Sequence, residues 1–231
     1  MLKKISVLIL LVFMLSIYAS KTSATTIYKN LHTNHDVVAK YESGQEGYKA
    51  VAKDSYQGYS YGKWQISTYR KNGALSTFDY FLEYLNDKDM LIYEIFSMAG
   101  GYEAAFKGDT KFLEAWVTLA EYPRFQALYD SFLLERQIIP VYMRLDDLND
   151  TKLSQVTTWG SELEPVQAAI ESTIIQHGCG GAYRMIVYVT KMYDPQTPKD
   201  FVTKLYKRRS KLFPAYKSRY DKECKELTSL L

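Results

Sequence analysis

Cysteine, histidine and net charge are all scarce in this sequence of 231 residues. Two Cys and three scattered His do not compose a metal-binding cluster, so we expect no metal and no cofactor. The formal net charge is +3, and three of the Lys lie in the first 24 residues. The remainder is balanced and lacks the basic surplus that binding to nucleic acid exploits, which argues against a nucleic-acid partner.

Long apolar stretches are also missing beyond the N-terminus. There, Lys3 and Lys4 precede an uncharged apolar stretch from Ile5 to Ile17, and small residues follow it. This order is typical of a secretory signal, and the stretch is shorter than the roughly 20 residues that a membrane-spanning helix prefers. We predict a cleaved signal peptide over residues 1–24 and a single exported domain over residues 25–231, periplasmic or secreted and without a membrane anchor.

Export bears on the two cysteines, Cys179 and Cys224. An oxidising compartment permits a disulfide, and two cysteines allow one intramolecular pairing. The sequence favours this bond only slightly over two free, partly buried thiols.

Helical periodicity dominates the remaining sequence, with apolar residues at steps of three and four. Between Gly58 and Ser67, by contrast, Tyr, Trp and Ile lie among Gly and Ser, which favours a β hairpin. The sequence predicts a mainly α, α+β domain with one small hairpin and a basic C-terminal helical tail, in which Lys207–Arg209 is a solvated face. The predicted helices are Leu75–Leu85, Met90–Met98, Phe112–Ala120, Arg124–Leu145 with a kink or end at Pro140, Glu164–His177, Ala182–Tyr193 and a helix through Tyr206.

Glu42 is the candidate catalytic residue, because it falls where a helix gives way to glycine and the aromatic hairpin follows. Cleavage of a glycosidic bond requires a carboxylic acid that is protonated near neutral pH. Partial burial beside aromatic rings raises the pKa of a carboxyl group and so meets this need.

Three segments carry a resemblance to a known family. They are Glu42-Ser43-Gly44, Ser60-Tyr61-Gly62-Lys63-Trp64-Gln65-Ile66-Ser67 and Glu171-Ser172-Thr173-Ile174-Ile175-Gln176-His177-Gly178. The chain resembles the lysozyme-like superfamily and its lytic transglycosylases, and is most similar to the lysozyme-like domains of phage tail and type VI secretion spike proteins. The likeness covers about Ala39–Phe201. It departs from the family at Glu171, where Trp is often found.

The resemblance implies that Glu42 is the general acid and later the base. Ser43 would orient the Glu42 carboxyl group or contact the sugar. Residues of the hairpin and of the segment Glu171–Gly178 would line the cleft. Trp64 is predicted to face the core. The residues implied to contact substrate are Ser43, Ser60, Tyr61, Gln65, Gln176 and His177.

A second carboxylate would separate two chemical routes. Lysozymes usually pair their general acid with a second carboxylate. Lytic transglycosylases resemble lysozymes in protonating the leaving oxygen, but in them the 6-hydroxyl of the sugar attacks the anomeric carbon. The candidates are Glu46, Asp54 and Asp79, of which Asp54 lies nearest the hairpin. None has a diagnostic spacing, so the choice stays open with a preference for the non-hydrolytic route.

The sequence therefore predicts an exported enzyme that cleaves the MurNAc-GlcNAc β-1,4 bond of peptidoglycan strands. One alternative is a chitosanase or chitinase, although chitosan is cationic and the balanced charge gives no sign of an acidic groove. Another is a non-catalytic peptidoglycan-binding module, against which the intact Glu42 argues. A secretion apparatus or an immunity protein is a conceivable partner to which no residue points.

Overall fold

The computed structural model describes residues 28, 30–33, 36–44, 46–54 and 57–231. The chain divides into two units, Met1–Leu31 and His32–Leu231, and the helices and strands given below belong to the second. The signal peptide predicted over residues 1–24 lies outside the described residues.

Helices account for most of the second unit, and many begin at the capping residues that the sequence offers. Ser76 and Asp79 form a reciprocal capping box at one of these starts. The helices are α1 (Asp36–Glu42), α2 (Thr77–Lys88), α3 (Met90–Met98), α4 (Gly101–Lys107), α5 (Thr110–Leu119), α6 (Pro123–Leu133), α7 (Ile139–Asp146), α8 (Thr151–Glu162), α9 (Glu164–Tyr193), α10 (Pro198–Leu212) and α11 (Lys217–Ser229).

The predicted hairpin is part of a three-stranded antiparallel sheet. Its strands are β1 (Val51–Lys53), β2 (Tyr59–Tyr61) and β3 (Ile66–Ser67), in the order β1-β2-β3. Gly62 follows β2 with φ +77°, and a Cβ atom there would lie 2.7 Å from the Tyr129 ring. Only glycine combines this backbone angle with so close a neighbour.

Aromatic side chains fill the space between this sheet and helices α2–α6. The ring centroids of Tyr61 and Trp116 are 4.9 Å apart, and those of Phe81 and Phe132 are 5.2 Å apart. Edge-to-face and tilted contacts of this kind add to the free energy gained by burial. We call this cluster the aromatic core; its members are Tyr61, Phe78, Phe81, Phe96, Phe112, Trp116, Phe125, Tyr129 and Phe132.

The long helix α9 is central to the other half of the unit, where it contacts α1, α7, α8, α10 and α11. Gly178 interrupts its helical backbone with φ 68° and ψ 165°, at the residue where the sequence predicted a helix end. The predicted helix Arg124–Leu145 is observed as α6, a π-helical turn at Leu134–Ile138 and α7, which follow one another without leaving the right-handed helical conformation. The π-helical turn immediately precedes Pro140, whose missing N–H cannot make a regular α-helical hydrogen bond.

The C-terminal tail differs from the predicted solvated face. Helices α10 and α11 pack on α9, and Arg209 is fully buried. Its guanidinium donates hydrogen bonds to Ser172 Oγ (3.1 Å) and Gln176 Oε1 (2.8 Å), which replaces the water that solvated it in the unfolded chain.

Cys179 and Cys224 are both free thiols, so the disulfide that the sequence slightly favoured is not formed. The Cys179 thiol instead lies 3.0 Å from Oε1 of Gln137 and donates a hydrogen bond to it. Within residues 28–231, as far as they are described, no helix has the length and apolar character needed to cross a membrane.

Candidate active site

Glu42 ends α1, and its carboxyl group points into the protein. Only 8% of the side chain is exposed. The Arg219 guanidinium reaches it from α11 and donates hydrogen bonds to both carboxylate oxygens, with Nη1 lying 3.5 Å from Oε2 and Nη2 paired with Oε1. The predicted acid is therefore held by a residue distant in the sequence.

Two opposing effects act on the Glu42 carboxyl group. Burial raises the pKa of Glu42, and the positive charge of Arg219 lowers it, with burial the larger influence. The net pKa is raised above the ordinary value for glutamate. A carboxyl group in this environment retains its proton to higher pH than a solvated one does, which is the property required of a general acid.

Further charges surround this pair. Glu223 lies one turn beyond Arg219, with Oε2 3.9 Å from its Nε atom, and is fully buried. Arg209 also contributes to the field at Glu42. We call Glu42, Arg209, Arg219 and Glu223 the charged core, in contrast to the aromatic core.

Contacts at the surface fix α11 against α1. Lys40 Nζ lies 2.9 Å from Oε2 of Glu226, and the Tyr41 hydroxyl donates a 3.0 Å hydrogen bond to the same oxygen. Since these residues immediately precede Glu42, the contacts orient the end of α1 relative to Arg219.

Asp54 follows β1 directly and has a defined orientation. Its Oδ2 atom accepts hydrogen bonds from Ser67 Oγ (2.9 Å) and Ser60 Oγ (3.4 Å), while its N–H donates to Gly58 O (3.0 Å). Ser60, predicted to contact substrate, therefore also orients the candidate second carboxylate.

The two other carboxylate candidates have different surroundings. Asp79 caps α2 and accepts two hydrogen bonds from Arg70, at 2.9 and 2.6 Å. Burial tends to raise its pKa, but the bonds from Arg70 and Ser76 prevail and lower it. Glu46 is exposed. Asp54 is thus the candidate that the sheet itself positions.

Two residues predicted to contact substrate serve the fold instead. The Tyr61 side chain is fully buried in the aromatic core, and its hydroxyl donates a 2.7 Å hydrogen bond to Ala105 O. The prediction that Tyr61 lines a cleft is wrong, because a side chain on the inner face of the sheet cannot reach a ligand. The Ser43 hydroxyl donates to Ala39 O (3.2 Å), back along α1, rather than to Glu42.

Gln65 lies at the turn between β2 and β3, with φ 50° and its side-chain amide donating to Gly62 O (3.0 Å). It borders a cavity of about 90 Å³, together with Ser67 and Gly178. The neighbouring Trp64 is 1% exposed, as predicted for a core residue, and its ring N–H donates to Asp130 Oδ1 (3.0 Å).

Gln176 and His177 lie next to the charged core. Gln176 Oε1 accepts hydrogen bonds from Arg209 and, at 2.7 Å, from the Tyr220 hydroxyl. The His177 ring stacks on Phe213 with centroids 4.4 Å apart. Burial, followed by the charges of Arg209 and Arg219, lowers the pKa of His177 to about 3, so the ring is neutral near pH 7.

Glu171, the departure from the family pattern, is fully buried. Burial raises its pKa well above the ordinary value, while the positive charge of Lys63 acts in the opposite direction. Lys63 is itself buried in the turn after β2, and its ammonium lies 4.6 Å from the centre of the Trp64 ring. Lys63 therefore supplies a positive charge, from the turn after β2, that partly offsets the burial of this acidic side chain.

Arg219 and Glu223 are the site residues that the sequence analysis missed. Tyr220 and Leu227 are fully or almost fully buried. They are two helical turns apart in the sequence and therefore lie on the same face of α11. That spacing was the available signal for a packed helix, although it does not indicate which charged residues face inward. No group of three or more His, Cys, Asp or Glu side chains converges as a metal site among the described residues.

No protein-family model matches the chain, and no curated protein is similar to it in sequence. Among solved structures, the chain is similar to a GH46 chitosanase from Gynuella sunshinyii in complex with chitotetraose. The TM-score is 0.54 at 14% identity, and the match covers 84% of this chain and 83% of that one. The fold is accordingly the mainly helical, lysozyme-like one that the sequence predicted.

Proposed function

We propose that the protein is a glycosidase-like enzyme that cleaves β-1,4 bonds of peptidoglycan strands, with Glu42 as the general acid. The observation that carries the proposal is the buried Glu42 carboxyl group, with its raised pKa, at the C-terminal end of α1. Similarity in fold to a chitosanase supports glycan cleavage in general. The three sequence segments that resemble lytic transglycosylases support the narrower choice of substrate.

In the proposed reaction, protonated Glu42 gives its proton to the glycosidic oxygen as the bond to the anomeric carbon breaks. The positive charge of Arg219 then stabilises the resulting carboxylate. In the second step, Glu42 takes a proton from the attacking group and returns to its starting state. The pair thus suits a group that must cycle between acid and base.

Asp54 determines which attacking group we expect. Two serine hydroxyls orient its carboxylate at the edge of the sheet. If Asp54 activates water, the product is a reducing end; if the 6-hydroxyl of the sugar attacks, the product is a 1,6-anhydro end. Because its orientation is fixed, Asp54 is the candidate that we propose for the activation of water, ahead of Glu46 and Asp79.

The proposal is tested on purified sacculi with the wild type and Glu42→Gln. We expect the wild type to release soluble fragments and Glu42→Gln to release none above background. Glu46→Gln, which neutralises an exposed neighbouring carboxylate, is the matched control and should retain wild-type activity. Release by a folded Glu42→Gln at the wild-type rate would refute the proposal. Mass spectrometry distinguishes anhydro from reducing ends by one water.

The second candidate function is cleavage of chitosan, which the fold similarity favours. The same assay with chitosan as substrate separates the two: faster turnover of chitosan than of soluble peptidoglycan strands would replace our choice of substrate and leave the role of Glu42 intact. Export of the domain through residues 1–24 is part of the proposal, and detection of a processed N-terminus near Thr25 would test it.

A further inference from the structure

A pocket of about 510 Å³ lies between the second half of α9 and the end of α10. Two of the residues that line it, Gln176 and His177, lie next to the charged core. Its lining residues are Gln176, His177, Gly181, Arg184, Met185, Tyr188, Arg208, Leu212 and Phe213.

Arginine supplies all the formal charge of this lining, which contains no Asp or Glu. Arg184 is exposed, and neither it nor Arg208 forms an ion pair within the described part of the chain. The pocket is therefore positive, and its charge is not neutralised by neighbouring carboxylates.

Arg208 has the more closely defined surroundings of the two arginines. Its guanidinium lies 4.0 Å from the centre of the Tyr188 ring, which fixes the plane of the group. The Nε atom is buried and has no hydrogen-bond acceptor among the described residues. An unsatisfied buried donor costs free energy, and it leaves the pairing of this guanidinium incomplete on the side of the protein, so a ligand acceptor at the same group would be favoured.

The opposite wall is aromatic and uncharged. His177 stacks on Phe213, and its low pKa of about 3 keeps the ring neutral over the physiological range. Arginine stays protonated throughout that range. The pocket thus combines a flat apolar wall with a permanent positive charge, which suits a planar carboxylate better than a cation.

The pocket adjoins the proposed catalytic network. Gln176 lines it and also accepts a hydrogen bond from Tyr220, the residue after Arg219. Arg219 in turn holds Glu42. Two side-chain hydrogen bonds, at neighbouring residues of α11, therefore connect the pocket to the general acid.

Resting on the proposed function, we propose that Arg184 and Arg208 form a specificity subsite that binds carboxylate groups carried by the glycan substrate. The planar guanidinium fork pairs with a carboxylate through two parallel hydrogen bonds. Peptidoglycan strands carry such carboxylates on their stem peptides, and on their lactyl groups wherever the stem peptide has been removed. Chitosan carries amines, which the same arginines repel.

The experiment compares soluble peptidoglycan strands with the same strands after their carboxylates have been converted to primary amides. We expect Arg208→Gln and Arg184→Gln each to raise KM for the native strands about tenfold, the loss expected for one charge-assisted hydrogen bond. For the amidated strands, the same two substitutions should change KM by less than about twofold. A third substrate, treated with an amidase that removes stem peptides, shows whether the lactyl or the peptide carboxylate is bound.

Arg144→Gln is the matched control, because its guanidinium lies 4.0 Å from the Tyr183 ring and outside the pocket. It should leave KM unchanged for every substrate. The proposal would be overturned if Arg208→Gln changed KM equally for native and amidated strands. It would also be overturned if neither pocket substitution changed KM for the native strands. If Arg208→Gln does not fold, the exposed position of Arg184 keeps the test available.

Failure of the proposed function has a different signature. If the wild type cleaves none of these polymers, sedimentation of native and amidated strands with the wild type and Arg184→Gln measures binding without turnover. Preferential binding of native strands that Arg184→Gln abolishes would preserve the subsite, whereas equal binding of both strands would reject it.

Discussion

The aromatic core and the charged core stabilise the two halves of the domain by different means. Aromatic rings from four helices and the sheet pack around Trp116 in edge-to-face, tilted and stacked contacts, and their hydroxyls and ring N–H groups find nearby acceptors. Around Glu42, by contrast, buried arginines and carboxylates lie close together, and several of their polar atoms, including both oxygens of Glu223, have no hydrogen-bond partner among the residues that the structure describes. The first arrangement favours stability, while the second keeps a carboxyl group in an environment that alters its pKa.

This difference explains what the sequence could reveal. The aromatic core is built from periodic apolar residues, and helices such as Leu75–Leu85 and Phe112–Ala120 were predicted close to their observed positions in α2 and α5. The charged core joins residues 177 positions apart, Glu42 and Arg219, and no local pattern marks such a pair. Charged residues are normally exposed, so α11 was predicted to be part of a solvated tail.

The candidate site was accordingly predicted only in part. The hairpin was predicted from its composition, and Glu42 from its place at a helix end, an assignment that the family resemblance strengthened. Tyr61 was assigned to the wrong face of its strand, since alternation along a short strand fixes two faces but not which one is inside. The α8 helix was not predicted, because its apolar residues are few and its first turn is polar.

The largest stability effect should come from the aromatic core. Phe81→Ala removes a fully buried ring that contacts Trp116 and Phe132, so we expect the free energy of unfolding to fall by about 3–5 kcal/mol. Urea denaturation measures this change. The pH dependence of glycan cleavage should be unchanged at a temperature where the variant is folded. A fall in the free energy of unfolding of less than about 1 kcal/mol would contradict the prediction and show that neighbouring side chains fill the cavity.

Removal of Arg219 should act on both stability and chemistry. Arg219→Met leaves Glu42 and Glu223 without their cation, which should cost about 3 kcal/mol, near the lower limit for a buried pair because Arg219 is 22% exposed. Since its charge favours the ionised carboxylate, its loss should raise the pKa of Glu42 further. A general acid works while protonated, so the alkaline limb of the pH–activity profile should move to higher pH. A shift to lower pH would contradict the assigned pairing.

Tyr61→Phe should have a smaller effect on stability and none on substrate binding. It removes the hydroxyl that donates to Ala105 O, at an expected cost of about 1 kcal/mol. Because the ring is buried, KM for peptidoglycan strands should equal that of the wild type. An increase in KM with little loss of stability would contradict this assignment and indicate that Tyr61 contacts the substrate.

Reduction should have the smallest effect. With Cys179 and Cys224 free, thermal unfolding should give the same midpoint with and without dithiothreitol. A lower midpoint on reduction would mean that the two thiols are bonded in the purified protein, and alkylation followed by mass spectrometry provides an independent count of free thiols.

The most direct test of the account is the rate of peptidoglycan cleavage by Glu42→Gln relative to Glu46→Gln, with folding of both verified by circular dichroism. Loss of a general acid lowers a rate by roughly 10²–10⁴-fold. We predict a loss of that size for Glu42→Gln and none for Glu46→Gln. Equal rates for the two folded variants would contradict the claim that the buried carboxyl group at the end of α1 is the proton donor.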